Sequence, residues 1–234
     1  MTEKKVAIVQ SSYIPWKGYF DIINSVNEFI LFDNVQFTRR DWRNRNKIKT
    51  PNGTQWLTIP VDVKGKYHQS ICETKIKNPE WKIKHWATIR HNYRRAKYFN
   101  TYKDFFETLF LDRDEKYLSN INYHFIVNIN KLMGIQTKIS HSMTYSLVGE
   151  KTEQLLKICK EAGATHYISG PAAKNYLDVK LFREENIAVE WMEYSGYPEY
   201  RQLFPPFEHS VSIIDLIFNE GRHAPLYMKS FGLD

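Results

Sequence analysis

A chain of 234 residues, 42% hydrophobic and 25% charged, has the ordinary composition of a globular protein and the length to bury a sizeable core. Its formal net charge of +7 favours an anionic partner, whether phosphate, nucleotide or nucleic acid. No apolar run reaches the length of a membrane span, and the N-terminal one stops at Gln10, too short for a signal core, so a cytoplasmic protein is expected. The two cysteines, Cys72 and Cys159, lie in apolar contexts without metal-ligand spacing, so no metal site is expected.

In chain order, residues 4–9 read as a buried strand, 18–26 as an amphipathic helix and 28–33 as a second buried strand, the length of a βαβ unit. Strands follow at 54–62 and 70–77, joined by a turn at Lys64-Gly65-Lys66-Tyr67-His68. A helical segment covers about 79–133 in three pieces, the last closed by Gly134. The C-terminal part alternates: strand 137–143, helix 151–163, strand 165–169, mostly helix over 172–185, strand 187–193, a long Pro- and Tyr-rich loop over 194–209 and a last amphipathic helix over 210–220. This order predicts an α/β protein with a mostly parallel, Rossmann-like sheet, flanking helices and a helical insertion, organised as a single domain over 1–234.

Four tracts could carry chemistry. The turn after the first strand holds Gln10, Tyr13, Trp16, Lys17, Gly18 and Tyr19, at the carboxyl end of a strand and just before a helix N-terminus, where parallel sheets bind ligands and phosphates. A second tract, Asp33 to Lys47, follows the second strand and interleaves Gln36, Asn44 and Trp42 with Arg39, Arg40, Arg43 and Arg45; planar guanidinium forks suit phosphate, and indole suits a base or a sugar face. The third, Ser169, Gly170 and Lys174, is again a strand end entering a helix, which capping by Pro171 accounts for equally well. The fourth is the aromatic loop with Tyr194, Tyr197 and Tyr200, a candidate lid, ending at Glu208 and His209, which could move protons. His85 and His91 are six apart, off a shared helix face, and read as structural. Basic residues among aromatics also mark single-strand binders, but here they form one loop with no nucleic-acid motif, so nucleic acid is disfavoured.

The strings VAIVQSSYIPWKGYFDIINSVNEFILFDNVQFTRRDWRNRNKIKTPNGTQWLTIPV, GATHYISGPAAKNYLD and EYSGYPEYRQLFPPFEHSVSIIDLIFNEG resemble the WbqC-like family over roughly residues 5–221. That resemblance implies a place in O-antigen or capsule synthesis and an N-acyl or N-aminoacyl (for example glycyl) transfer to the amine of a nucleotide-linked amino sugar. The donor stays open between an activated acyl or aminoacyl group and an ATP/Mg-dependent ligation; a non-catalytic sugar-nucleotide binder is the alternative. On this reading His209 or Asp33 is the base, and a homodimer is among the assemblies allowed. A fainter similarity links YIPWKGYFDII and FDNVQF to the nucleotidyltransferase or pantothenate-synthetase fold; its HxGH pair is replaced by Trp16-Lys17-Gly18-Tyr19, which keeps the glycine and lacks both histidines.

Overall fold

The computed structural model describes residues 2–232. Five parallel strands form the main sheet: β1 (Lys5–Val9), β2 (Glu28–Leu31), β5 (Lys138–His141), β6 (His166–Ser169) and β7 (Ala188–Trp191), in the order β5-β2-β1-β6-β7. The chain runs outward from the central β1 on one side, then returns to pair β6 against its other side. This is the Rossmann-like arrangement, whose switch point falls between the carboxyl ends of β1 and β6.

Alternation along the strands makes two cores. Ala7, Phe29, Leu31 and Ile168 face one side, where α1 (Lys17–Asn24), α2 (Trp81–Tyr93), α3 (Phe99–Leu111), α4 (Leu118–Met133) and α7 (Ile213–Glu220) bury their apolar faces. Val6, Ile8, Ile30 and Tyr167 face the other, against α5 (Lys151–Glu161) and α6 (Val179–Glu184). The insertion α2–α4 packs its aromatics onto α7: Phe99 and Phe106 lie 5.1 and 5.0 Å from Phe218. Gly134 closes α4 at φ 77°, a conformation open to glycine without steric cost.

One local expectation is corrected. The basic tract does not stay a loop to Lys47, and 70–77 is not a strand, meeting the end of 54–62 only at the Val61–Ile76 bridge. Instead β3 (Arg45–Thr50) and β4 (Gly53–Thr58) form an antiparallel hairpin closed at Pro51-Asn52, while 70–77 makes only isolated bridges, Gln36–Ser70, Val61–Ile76 and Lys75–Tyr117. The charges conceal the strand: Asn46 and Ile48 turn inward, Arg45 and Lys47 lie half-buried on the other face, and Lys49 on that same face is buried with its ammonium on the Pro206 carbonyl.

At the amino end of β2, Glu28 is buried and takes hydrogen bonds from Lys4 (2.8 Å), Ser140 (2.8 Å) and Tyr145 (2.7 Å), with Lys138 at 2.9 Å. Burial alone would raise its pKa, but these donors outweigh it and hold the carboxyl at about 2. A depressed folded pKa contributes stability that is complete above the unfolded value near 4.5 and is lost as pH falls toward 2. Urea melts of the parent and Glu28→Gln should therefore differ most near pH 6 and converge between about pH 4.5 and 2; a gap independent of pH would contradict the assignment.

Candidate functional site

Between β1 and α1 the chain makes a tight turn that folding cannot satisfy by itself. Ile14 sits at φ 37°, in the left-handed region that a β-branched side chain disfavours. The hairpin supports it. Asn46 Nδ2 donates to the carbonyls of Tyr13 (3.1 Å) and Ile14 (2.9 Å), and Arg43 Nη1 donates to those of Gln10 (3.0 Å) and Ser11 (3.1 Å). The Tyr13 N–H returns a bond to the Trp42 carbonyl at 3.0 Å. Backbone strain of this kind, held by surrounding structure, is characteristic of functional sites.

Two cavities open at this edge, one on each side of the chain leaving β1. The first, about 330 Å³, is lined by Ser12, Trp16, Tyr19, Trp42, Arg43 and Ser210, among others. The second, about 680 Å³, lies at the switch point and is lined by Gln10, Gln36, Lys151, Ser169, Gly170 and Tyr176, among others. The first three tracts singled out in the sequence thus converge on the carboxyl edge of the sheet. Arg43 spends one nitrogen on backbone carbonyls; its buried Nε has no hydrogen-bond partner and stands 3.7 Å from Asp41 Oδ2.

Asp33 lies beneath this edge, fully buried. Its Oδ1 accepts the Ser11 N–H at 2.8 Å, while Oδ2 has no partner. Burial raises its pKa, partly opposed by the Ser11 bonds and the charges of Arg43 and His141. Beside it, Asn122 on α4 donates to Ser11 Oγ and the Arg43 carbonyl, both at 2.9 Å, and keeps its own oxygen unpartnered. Nothing in the sequence pattern distinguished Asn122, which sits among helix-spaced apolar residues. His209 is half-buried against Phe207, its Nδ1 without a partner; burial and then the Lys17 charge lower its pKa, so the ring is neutral near pH 7. No hydrogen bond joins Asp33 to His209.

Other candidates have structural partners. Tyr13 is buried, its hydroxyl 2.8 Å from His85 Nδ1, tying the turn to α2. Lys17 is 3% exposed; it donates to the Pro198 carbonyl at 2.8 Å under the rings of Tyr197 and Tyr200, and burial lowers its pKa to about 8. Gly18 admits the Trp16 indole: a Cβ there would lie 2.3 Å from the ring. Tyr197 and Tyr200 are buried and donate to Asp21 (2.5 Å) and Asp215 (2.7 Å). They seat the 194–209 loop, and Tyr194 and Tyr197 pack edge-on against Trp16. Asn44 Nδ2 donates to the Ile59 carbonyl, exposed Arg39 to that of Val63 and Arg45 to that of Arg40, itself at φ 61°. Exposed Lys174 lies 5.7 Å from the Trp191 ring and lines neither cavity.

Buried Asp215 collects Tyr93, Tyr200 and Gln202 at 2.8, 2.7 and 3.0 Å. Asp215→Ala leaves those donors unsatisfied and should destabilise the fold by about 3 kcal/mol; a urea-melt loss below about 1 kcal/mol would remove it as the loop's anchor. Gly18→Ala should push Trp16 off the cavity wall, changing near-ultraviolet circular dichroism while far-ultraviolet helicity stays; an unchanged aromatic signal would contradict the packing.

Among the described residues no group of His, Cys, Asp and Glu side chains could hold a metal ion, and no helix is long and apolar enough to cross a membrane. The chain is 47% identical to the uncharacterized protein Rv1507c of Mycobacterium tuberculosis (strain ATCC 25618 / H37Rv), over 97% of this chain and 98% of that one. No solved structure matches it significantly. Residues 10–227 match the WbqC-like protein family, a span that includes the β1–α1 turn, the hairpin, the aromatic loop and all of the lining of both cavities except Ile8 and Val9, and the chain belongs to that family.

Proposed function

We propose that this protein is an enzyme of bacterial surface-polysaccharide synthesis that transfers an acyl or aminoacyl group to the amine of a nucleotide-linked amino sugar. The observation that carries the reading is the cavity between Trp16, Tyr19, Trp42 and Arg43 at the carboxyl edge of a parallel sheet. Aromatic walls suit the faces of a sugar, and a guanidinium with unspent donors suits phosphate.

In the reaction the amine nitrogen attacks the acyl carbon, the new C–N bond forms, and the bond to the donor's leaving group breaks with its electron pair. The nitrogen must then shed a proton. His209 is the proposed acceptor: it adjoins Ser210 on the cavity wall, its Nδ1 has no partner, and burial keeps it neutral. Asp33 is the second candidate, through its unpartnered Oδ2, with burial raising its basicity.

Mass spectrometry of incubations with UDP- or dTDP-linked amino sugars, supplied with acyl or aminoacyl thioesters or with ATP, magnesium and an amino acid, tests this directly. An amide product is expected, with kcat rising with pH as the acceptor amine deprotonates. His209→Ala or Asp33→Asn, whichever residue is the base, should lower kcat by about 10²–10⁴ with KM little changed. Binding without product from every donor would instead make the protein a non-catalytic carrier of the nucleotide sugar, and full activity in both variants would remove the proton role.

A further inference from the structure

Outside the first cavity, the hairpin carries a second group of aromatic and basic side chains. Lys47 stands directly opposite Trp56 in the β3–β4 ladder, and Arg45 opposite Thr58, so alternation puts Arg45, Lys47 and Trp56 on the outer face together. Trp42, from the preceding loop, completes the group, its ring centroid 5.2 Å from that of Trp56 at an interplanar angle of 40°. The Arg45 guanidinium carbon is 4.0 Å from the Trp56 centroid, and the Lys47 ammonium is 5.9 and 5.6 Å from the two rings.

The two adjoining indoles are 38% and 40% exposed and belong to neither core, so the core does not account for their sitting here side by side. Among the described residues neither cation is held in a salt bridge: Asp41 and Glu208 lie near enough to feel the charges of Arg45 and Lys47, but Asp41 is engaged by Thr38, the Trp42 N–H and Arg43, and Glu208 by the Ser210 N–H. The ledge is continuous with the cavity, because Trp42 also lines the latter, next to Arg43. At about 330 Å³ that cavity lies at the small end of ligand sites, which run from about 300 to 1,000 Å³. It can hold a sugar, but an extended nucleoside diphosphate sugar must continue beyond it.

We propose that this ledge is the subsite for the nucleoside diphosphate: the base stacks on Trp42 and Trp56, the diphosphate pairs with Arg45 and Lys47, and the sugar enters the cavity past Arg43. The assignment rests on the nucleotide-sugar reading above and adds Trp56, Lys47 and the direction in which the substrate lies. A π face stacks on indole whichever base carries it, and a guanidinium over the ring is placed both to stiffen the indole and to meet phosphate.

Calorimetric titrations of the full chain with UDP-GlcNAc, dTDP-glucose, UDP, N-acetylglucosamine 1-phosphate and an octathymidylate strand test it. Trp56→Ala should weaken UDP and at least one nucleotide sugar about tenfold or more, leave the base-free sugar phosphate within about twofold, and be largely rescued by Trp56→Phe. Lys47→Ala should weaken UDP with a reduced salt dependence. Trp56 is on the surface, so a melting curve matching the parent's verifies that the variant is folded. Equal affinity for nucleotide sugars in the parent and Trp56→Ala would overturn the ledge while leaving the nucleotide-sugar reading standing. Failure of every nucleotide and sugar phosphate to bind the parent would overturn both. Tight oligonucleotide binding that Trp56→Ala abolishes, with UDP inert, would overturn the proposal by giving the ledge to single-stranded nucleic acid.

Discussion

Four backbone carbonyls in the turn after β1, those of Gln10, Ser11, Tyr13 and Ile14, receive their donors from two side chains of another segment, Arg43 and Asn46. Each would cost about 1–3 kcal/mol if buried without a partner. The exchange fastens the hairpin to the central strand and holds Ile14 at its positive φ. It also fixes what stands on either side: Trp16 and Tyr19 on one flank of the cavity, Trp42 and Arg43 on the other. The site is a joint between two pieces of chain that share their hydrogen bonds, which is why neither piece reads as a complete motif.

Buried carboxylates divide the remaining work. Glu28 secures the amino edge of the sheet, with four donors around it. Asp21 takes Tyr197 and the Ser230 N–H, and Asp215 takes Tyr93, Tyr200 and Gln202; together they hold the aromatic loop against α1 and α7. Asp33 differs, because one of its oxygens has no partner although the side chain is fully buried, and it lies at the carboxyl edge. A fully satisfied carboxylate is architecture, whereas a half-satisfied one beside Arg43 has capacity left for a ligand or a proton.

Much of the architecture was legible because the strands of a sheet covered on both faces are short apolar runs: VAIV, EFIL and HYIS stand out in the sequence. The β1–α1–β2 unit followed from spacing alone, and the placing of the candidate tracts at the strand ends followed from the parallel sheet. β3 was hidden, since a strand written RNKIKT looks like a charged loop until its partner and the Pro51-Asn52 turn are considered together. Individual side-chain fates were hidden for a related reason. Whether Lys17 meets a phosphate or the Pro198 carbonyl, and whether Tyr197 faces a ligand or Asp21, depends on contacts about 180 residues apart. Asn122 and Trp56 lay in unremarkable contexts, and only the fold brings them to the edge where the other tracts meet.

Hydrogen exchange read by mass spectrometry, with and without saturating UDP-GlcNAc or a dTDP-linked amino sugar, tests the central claim most directly. The account predicts slowed exchange in the β1–α1 turn at 10–19 and in the hairpin at 42–58, with little change at the opposite edge around Glu28 and Lys138. Protection confined to other surfaces, or none at saturation, would contradict a nucleotide-sugar site at the carboxyl edge of this sheet.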